Sequence, residues 1–426
     1  MWQQFLSAKR IGSSHGPDST AFGRSEFHRD YDRIIFSSAF RRLSDKTQVV
    51  PFPQSDYTRR RLTHSLEVSC VGRSLATHIY EMVRHDVAHL VPQGEFEAIV
   101  AAACLAHDIG NPPFGHFGER AIQEWAAEEL SQPAYESLTA AQRADFTKFE
   151  GNAQSFRVLT RLQMSNRRGG MRLTAATLGA LIKYPRPSIA DPTPRYRKHG
   201  CFQDDLNLFS EVFVTAGRQA DECGQFARHP LALLSEAADD ICYAIIDLED
   251  GCRAGLIPAD ETFAILESIE PGCTGDSDMP AADRLSMGRA IVINTLVRQC
   301  VDVFRCHGPS ILDGTFTGSL IDRAQAAAMC NTAKSTAFRK VYRSDRVVEL
   351  EAAGYQAIRG LLNMLTPAAL TDRPTGFEEH VRQLTCLLIP QESSVYRRLL
   401  ACTDQISGMT DRYCIDLFRK LSGHAI

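Results

Sequence analysis

The run from Ala101 to Glu119 constrains this chain more than any other. It reads Ala-Ala-Ala-Cys-Leu-Ala-His-Asp-Ile-Gly-Asn-Pro-Pro-Phe-Gly-His-Phe-Gly-Glu. An apolar helix runs into an adjacent His107-Asp108 pair. Gly110 suits the left-handed position that ends helices, and Pro112 and Pro113 cannot continue one. The pattern predicts His107 and Asp108 in the last turn of a buried helix, with their side chains converging beyond its end. Imidazole and carboxylate at the end of an apolar helix make a poor core but a good seat for a metal ion. The loop beyond adds His116 and, three residues on, Glu119.

An adjacent His-Asp pair is common by chance, so its company matters. His64 stands at the head of a second amphipathic helix, within Arg61-Leu62-Thr63-His64-Ser65. A third helix carries Glu236-Ala237-Ala238-Asp239-Asp240-Ile241. Two imidazoles and two carboxylates on three helices form a mixed nitrogen and oxygen set for a divalent cation. Either Asp239 or Asp240 fits as the last ligand on local sequence.

The chain has 426 residues, enough for a sizeable core, and its net charge is only −4. That charge argues against a wholesale nucleic-acid coat, while leaving room for a local basic patch. The 13 cysteines are scattered and contain no CxxC pair, which points to buried reduced thiols and a cytoplasmic location. No signal peptide and no apolar run of about 18 residues is visible, so neither export nor a membrane span is expected. Without GxxxxGK[ST], GxGxxG or GxSxG, P-loop ATPases, Rossmann dehydrogenases and serine hydrolases are set aside.

The periodicity is helical almost throughout, and the expected fold is all-α, a compact multi-helix globule. Residues 1–28 read as a mobile or loosely docked arm. Helices are expected over 29–43, 63–79, 96–107, 118–130, 150–162, 173–184, 204–214, 231–253, 282–307, 320–328, 345–365, 377–388 and 395–421. Thr63 is the expected N-cap of the second of these. Lys46 to Val50 suggests a short strand or hairpin, and 185–200, with four prolines and the run Arg195-Tyr196-Arg197-Lys198, a long loop. The segment 270–280, rich in Gly, Pro and Asp, is a candidate boundary, and the chain is read as a catalytic core (29–255) with a C-terminal helical region (256–426) packed on it.

The order His…His-Asp…Asp is the signature of HD-domain phosphohydrolases. Phe40-Arg41-Arg42-Leu43, Lys46-Thr47-Gln48-Val49, Arg61-Leu62-Thr63-His64-Ser65, the His107–His116 run, Phe149-Glu150-Gly151-Asn152-Ala153-Gln154 and Glu236–Ile241 resemble the deoxyguanosinetriphosphate triphosphohydrolase branch. The resemblance runs from about Arg29 to Arg253. It implies an HD-type catalytic core and metal-dependent hydrolysis of a dNTP, above all dGTP, to deoxynucleoside and triphosphate. It assigns His64, His107, Asp108 and Asp239 to the metal (Mg, Mn or another divalent ion) and His116 with Glu119 to catalysis. It gives Arg61 the phosphates, Gln48 and Asp247 the 3′-hydroxyl, and Tyr243 the deoxyribose.

Physical chemistry agrees with those assignments. Arg presents a fork of donors to phosphate, and a ring against the 2′ carbon leaves no room for a 2′-hydroxyl. Tyr243 and Asp247 follow Asp239 by one and two turns, the latter roughly 12 Å along the helix. Lys183 and the run Arg195 to Lys198 are further cations for a triphosphate. The arginines at 41, 42 and 59–61 raise single-stranded DNA as a side expectation, weakened by sparse aromatics. The family also implies a homo-oligomer and an activating nucleotide. The competing readings are another HD nucleotidase or phosphodiesterase, and a non-enzymatic nucleotide sensor or single-strand binder.

Overall fold

A computed structural model describes residues 1–13, 24–48, 59–189, 195–389 and 393–424. Its described residues form eighteen α-helices joined by short 3₁₀ and π turns, with no strand, so the fold is all-α. At the expected strand only an isolated bridge between Thr47 and Arg60 is present, and Val49 and Val50 lie outside the described residues.

The helix Gln93–Ala106 is the axis of the molecule. From Phe96 on, its residues are buried, save Glu97. A helix apolar all round belongs inside a protein, and this one feeds two cores, with a third entered just beyond its end. Val100, Ala103 and Cys104 pack with Val68, Leu75 and Ile79 of Arg61–Val87, Ile241 and Ile245 of Ala232–Arg253, and Val292 and Leu296 of Ala281–Asp313. Ala102, Leu105 and Ile109 join Phe156, Phe209 and Phe213. Beyond the turn, Phe114 enters a third core with Trp125, Ile358, Leu361, Leu399 and Leu417, drawn from His116–Glu129, Asp345–Leu370, Val395–Ser407 and Asp411–Leu421. Each such fully buried Leu or Ile stabilises by about 1.5–3 kcal/mol. The His-Asp turn therefore lies where three cores meet.

Several expectations need correction. Residues 1–13 are firmly docked: Trp2, Phe5 and Ile11 are buried, and Arg10 pairs with Glu26 and Asp30. A few apolar residues in a short segment leave no periodic trace. The helix expected over 29–43 is two, Glu26–Phe36 and Ser38–Arg42, because Ser37 turns extended and its hydroxyl caps the second. The long helix after the basic stretch begins at Arg61, and Thr63 sits one turn inside, its hydroxyl accepting from the Arg60 N–H at 3.1 Å. Its buried face is Val68, Val71, Leu75 and Ile79, while Leu66 and Cys70 are exposed.

Helices Ala259–Ile269 and Ala327–Ala337 were not expected at those bounds. Ala281–Asp313 and Asp345–Leu370 run through Pro309 and Pro367, and 395–421 splits into two helices. A proline near a helix end removes one backbone bond without stopping the remaining turn. Eight of the cysteines are buried, whereas Cys70, Cys223, Cys306 and Cys386 are exposed.

Candidate active site

The chain passes from Ala106 through His107, which caps the helix end and does not belong to its last turn, to a new helix starting at His116. The left-handed residues of this passage are Phe114 (φ 61°) and Gly115 (φ 58°), not Gly110. Gly110 is required for closeness: a Cβ there would stand 2.0 Å from the Ser155 nitrogen. Ser155 Oγ accepts from the Gly110 N–H and donates to the His107 carbonyl, each at 3.0 Å. The His-Asp turn is thus bolted to the helix Gly151–Arg157. Gly115 leaves room for Arg61, whose Nη2 would lie 2.4 Å from a Cβ.

Three helices bring His64, His107 and Asp239 together, with candidate ligand atoms within 4.8 Å of one another. His64 Nε2 lies 3.2 Å, and His107 Nε2 3.5 Å, from Asp239 Oδ1. His107 Nδ1 is 2.6 Å from the Cys104 carbonyl, which fixes that proton and leaves the Nε2 lone pair aimed at Asp239 and Asp108. His107 Nε2 has no hydrogen-bond partner despite being buried. Such an orphaned lone pair among carboxylates is what a cation would satisfy, so the donor set fits a divalent metal. Asp240 turns away to an ion pair with Lys334 (2.9 Å).

Asp108 adjoins the cluster but is already engaged. Arg61 Nη1 donates to its Oδ2 at 2.6 Å and Asn111 Nδ2 to its Oδ1 at 2.5 Å. Burial raises the cost of its charge, yet Arg61 and His107 outweigh that and hold its carboxyl down at about 2. Burial likewise opposes Asp239, and His107 and His64 hold it well below the usual carboxylate range.

Beside the cluster, His116 Nδ1 is 2.7 Å from Glu119 Oε2, and Glu119 Oε1 accepts from the Gly151 N–H at 2.7 Å. The hydrogen bond and charge of Glu119 push His116 above its ordinary value, and Glu119 itself is lowered despite its burial. The His116 side chain is 79% exposed and lines a cavity of about 390 Å³.

That cavity is also lined by Gln48, Arg61, His64, His107, Asp108, Lys183, Asp239 and Tyr243. Glu119 and Asp247 are not on its wall: one supports His116, the other lies under Tyr342. Tyr342 Oη donates to Asp247 Oδ2 at 2.6 Å, and the buried Oδ1 has no partner. Burial pushes the Asp247 carboxyl up to about 8. The Tyr243 ring lies 6.3 Å from that of Tyr342. Gln48 Oε1 and Arg61 Nε are buried without partners. Lys183 Nζ is 3.4 Å from Glu236, which outweighs the burial that would lower it and keeps it protonated.

Sequence reasoning missed Tyr342, Arg343 and Asn111, which stand in the wall of the same cavity. Nothing in Phe338-Arg339-Lys340-Val341-Tyr342-Arg343 marks a site; only the third dimension brings it there. Of the basic run 195–198, Lys198 lines the cavity and pairs with Glu150 (2.9 Å), whereas Arg195 bonds the Gly314 carbonyl. Arg59 and Arg60 do not form an open basic surface, since they pair with Glu67, Glu249, Asp250 and Asp45.

A helical fold that gathers His, His-Asp and Asp from three helices defines the HD class, and residues 61–169 match the HD domain. Residues 322–420 match the phosphohydrolase-associated domain. The chain is 39% identical, over 99% of its own length and 99% of the relative's, to a deoxyguanosinetriphosphate triphosphohydrolase-like protein of Synechocystis. It is as similar to a like-named protein of Pseudomonas aeruginosa, over 100% and 99% of the two chains. To the deoxyguanosinetriphosphate triphosphohydrolase of Serratia proteamaculans it is 31% identical over 93% of each chain. The chain belongs to the deoxyguanosinetriphosphate triphosphohydrolase-like family of HD-domain phosphohydrolases. Among the described residues, no helix is long and apolar enough to cross a membrane.

Proposed function

We propose that the protein hydrolyses deoxynucleoside triphosphates, dGTP foremost, at the α-phosphate to give deoxynucleoside and inorganic triphosphate. One observation carries this reading. A single helix, Ala232–Arg253, presents Asp239 to the two histidines and, one turn on, Tyr243 to the cavity wall, with Asp247 a further turn along and held behind Tyr342. A charge-binding end and a hydroxyl-binding end so spaced suit the α-phosphate and sugar of one nucleotide.

His64, His107, Asp108 and Asp239 would hold the divalent cation. When bound there, a cation such as Mn or Mg supplies positive charge against a phosphoryl oxygen and acidifies water. Arg61 and Lys183 offset the charge of the phosphates from the cavity wall. His116, oriented by Glu119, carries a proton at Nε2 between the solvent side of the cavity and the reacting oxygen. Tyr243 packs on the deoxyribose and excludes a 2′-hydroxyl. Gln48 reads the 3′-hydroxyl from the cavity wall, and the mostly protonated Asp247 bears on that end from behind Tyr342, whose hydroxyl it holds.

The test is incubation of the purified chain with each dNTP plus Mn or Mg, and with the four pooled to satisfy an activating nucleotide. Products are resolved by anion exchange and mass. Deoxynucleoside plus triphosphate is expected. Diphosphate or single phosphates would reassign it to another HD phosphohydrolase, and no product at all would favour nucleotide sensing.

A further inference from the structure

The two sides of the cavity are tied to one carboxylate in a distant part of the chain. Asp411 opens the helix Asp411–Leu421 and is 3% exposed. Its Oδ1 accepts from the Phe114 N–H at 3.0 Å. Its Oδ2 accepts from the Thr47 N–H at 2.9 Å and also from the Thr47 hydroxyl. Thr47 immediately precedes Gln48, and Phe114 stands two residues before His116.

Phe114 is where such a tether matters most. Its φ of 61° is left-handed, a conformation that a bulky side chain rarely holds unless its surroundings impose it. The Phe114 N–H bond to Asp411 is one such constraint, and the burial of its ring among Ile358, Leu361 and Leu417 is another. A second tie lies beside the first. Lys46 Nζ donates to the Asn111 carbonyl at 2.5 Å and to the Ser407 carbonyl at 2.7 Å. Ser407 ends the helix before Asp411, and the Asn111 side chain holds Asp108. The last two helices therefore grip the Gln48 segment and the His-Asp loop together.

We propose that Asp411 is a positioning residue that sets both the Gln48 side and the His116 side of the nucleotide cavity. This rests on the functional reading given above. Asp411 touches no substrate. It acts by fixing the backbone on which an acid–base group and a sugar-reading group stand, and a misplacement of about 1 Å can cost on the order of 100-fold in rate.

The experiment compares the full chain with Asp411→Asn, which keeps the shape but can accept at one oxygen only. Hydrogen–deuterium exchange, turnover of dGTP and turnover of 2′,3′-dideoxyGTP are measured on each. Faster exchange is expected in peptides covering 46–48 and 112–117, with the helix 232–253 unchanged. Turnover of dGTP should fall by about tenfold or more, and the preference for dGTP over the dideoxy analogue should collapse. Thr47→Val, which removes only the hydroxyl donor, should lower that preference too and serves if Asp411→Asn fails to fold. Unchanged exchange in both segments would overturn the proposal. So would equal loss on both nucleotides with the preference intact, since that is what a purely structural role gives. Gln48→Ala separates the failures. If it leaves the preference unchanged, the reading of Gln48 is at fault, and Asp411 is then judged by exchange and by turnover of dGTP. If no dNTP is turned over at all, exchange alone decides.

Discussion

Asp239 and Asp247 sit on one helix, two turns apart, and hold different charge states. Around Asp239 stand His64, His107 and, further off, Lys183, and these outweigh the cost of burial. Around Asp247 the nearest partner is the Tyr342 hydroxyl, with Asp250 and Asp239 adding repulsion, so burial wins and the carboxyl rises to about 8. The same residue type thus becomes an anion in the cavity wall and, near neutral pH, a mostly protonated acid behind it. Charge state here is a property of the surroundings, not of the residue. An anion beside imidazoles suits a cation; a neutral acid suits the tyrosine hydroxyl that it accepts from.

Five variants break or sharpen that contrast. The largest effect is expected from His107→Ala, which removes the lone pair at the charged end. Turnover should fall on the order of 10³-fold or more and divalent-metal binding by calorimetry should weaken, while circular dichroism stays that of a folded chain. Loss of the fold together with activity would instead mark the cluster as a structural staple.

His116→Ala should lower kcat by about 10²–10⁴-fold and leave metal binding intact, since His116 lies outside the cluster. Glu119→Gln gives the sign of the proton transfer. It removes the charge that raises His116, so the pH-rate limb belonging to His116 should move to lower pH. If His116 acts as an acid, activity is then lost at lower pH than in the parent; if it acts as a base, activity is gained there.

Lys183→Met should raise KM for the triphosphate by about tenfold, the size of one hydrogen bond to a charged group, with a smaller change in kcat. A change in kcat alone would place Lys183 at the reacting centre and not at the phosphates.

The smallest effect is expected at the neutral end. Asp247→Asn mimics the protonated acid, so activity near pH 7 should change only a few-fold. The sign for stability follows from linkage. The folded carboxyl titrates near 8 and the unfolded one near the ordinary carboxylate value, so the folded state binds the extra proton between them. Wild-type stability should therefore fall as pH rises from about 4 to about 8. The Asn variant lacks this loss and should melt higher than wild type at pH 8, by roughly a few degrees, with the difference shrinking toward pH 4. An Asp247 that titrates as an ordinary surface carboxyl would erase that pH-dependent difference.

Much of the site was legible because its chemistry is written in local runs. His107 and Asp108 are adjacent, His116 and Glu119 are three apart, and Tyr243 and Asp247 repeat Asp239 at helical spacing. Helix type was legible for a related reason: long periodic segments declare themselves. Local exceptions were less so. Ser37 breaks a helix by capping the next one, Gly110 is small for the sake of Ser155 and not for a left-handed turn, and Pro309 and Pro367 sit inside helices. Each depends on a neighbour that a one-dimensional pattern does not contain.

By itself the sequence determined an all-α fold and which residue types face one another along each helix, because side-chain period and residue chemistry are local properties. The tertiary structure decided the rest. It turned Asp239 inward and Asp240 toward Lys334, engaged Asp108 with Arg61 and Asn111, brought Tyr342 to the cavity from the C-terminal half, and set Asp411 behind it on the Thr47 and Phe114 backbone. Those outcomes are set by packing between helices and by the balance of burial against neighbouring charge. Both depend on distances between residues far apart in the chain, and such distances exist only once the helices have met.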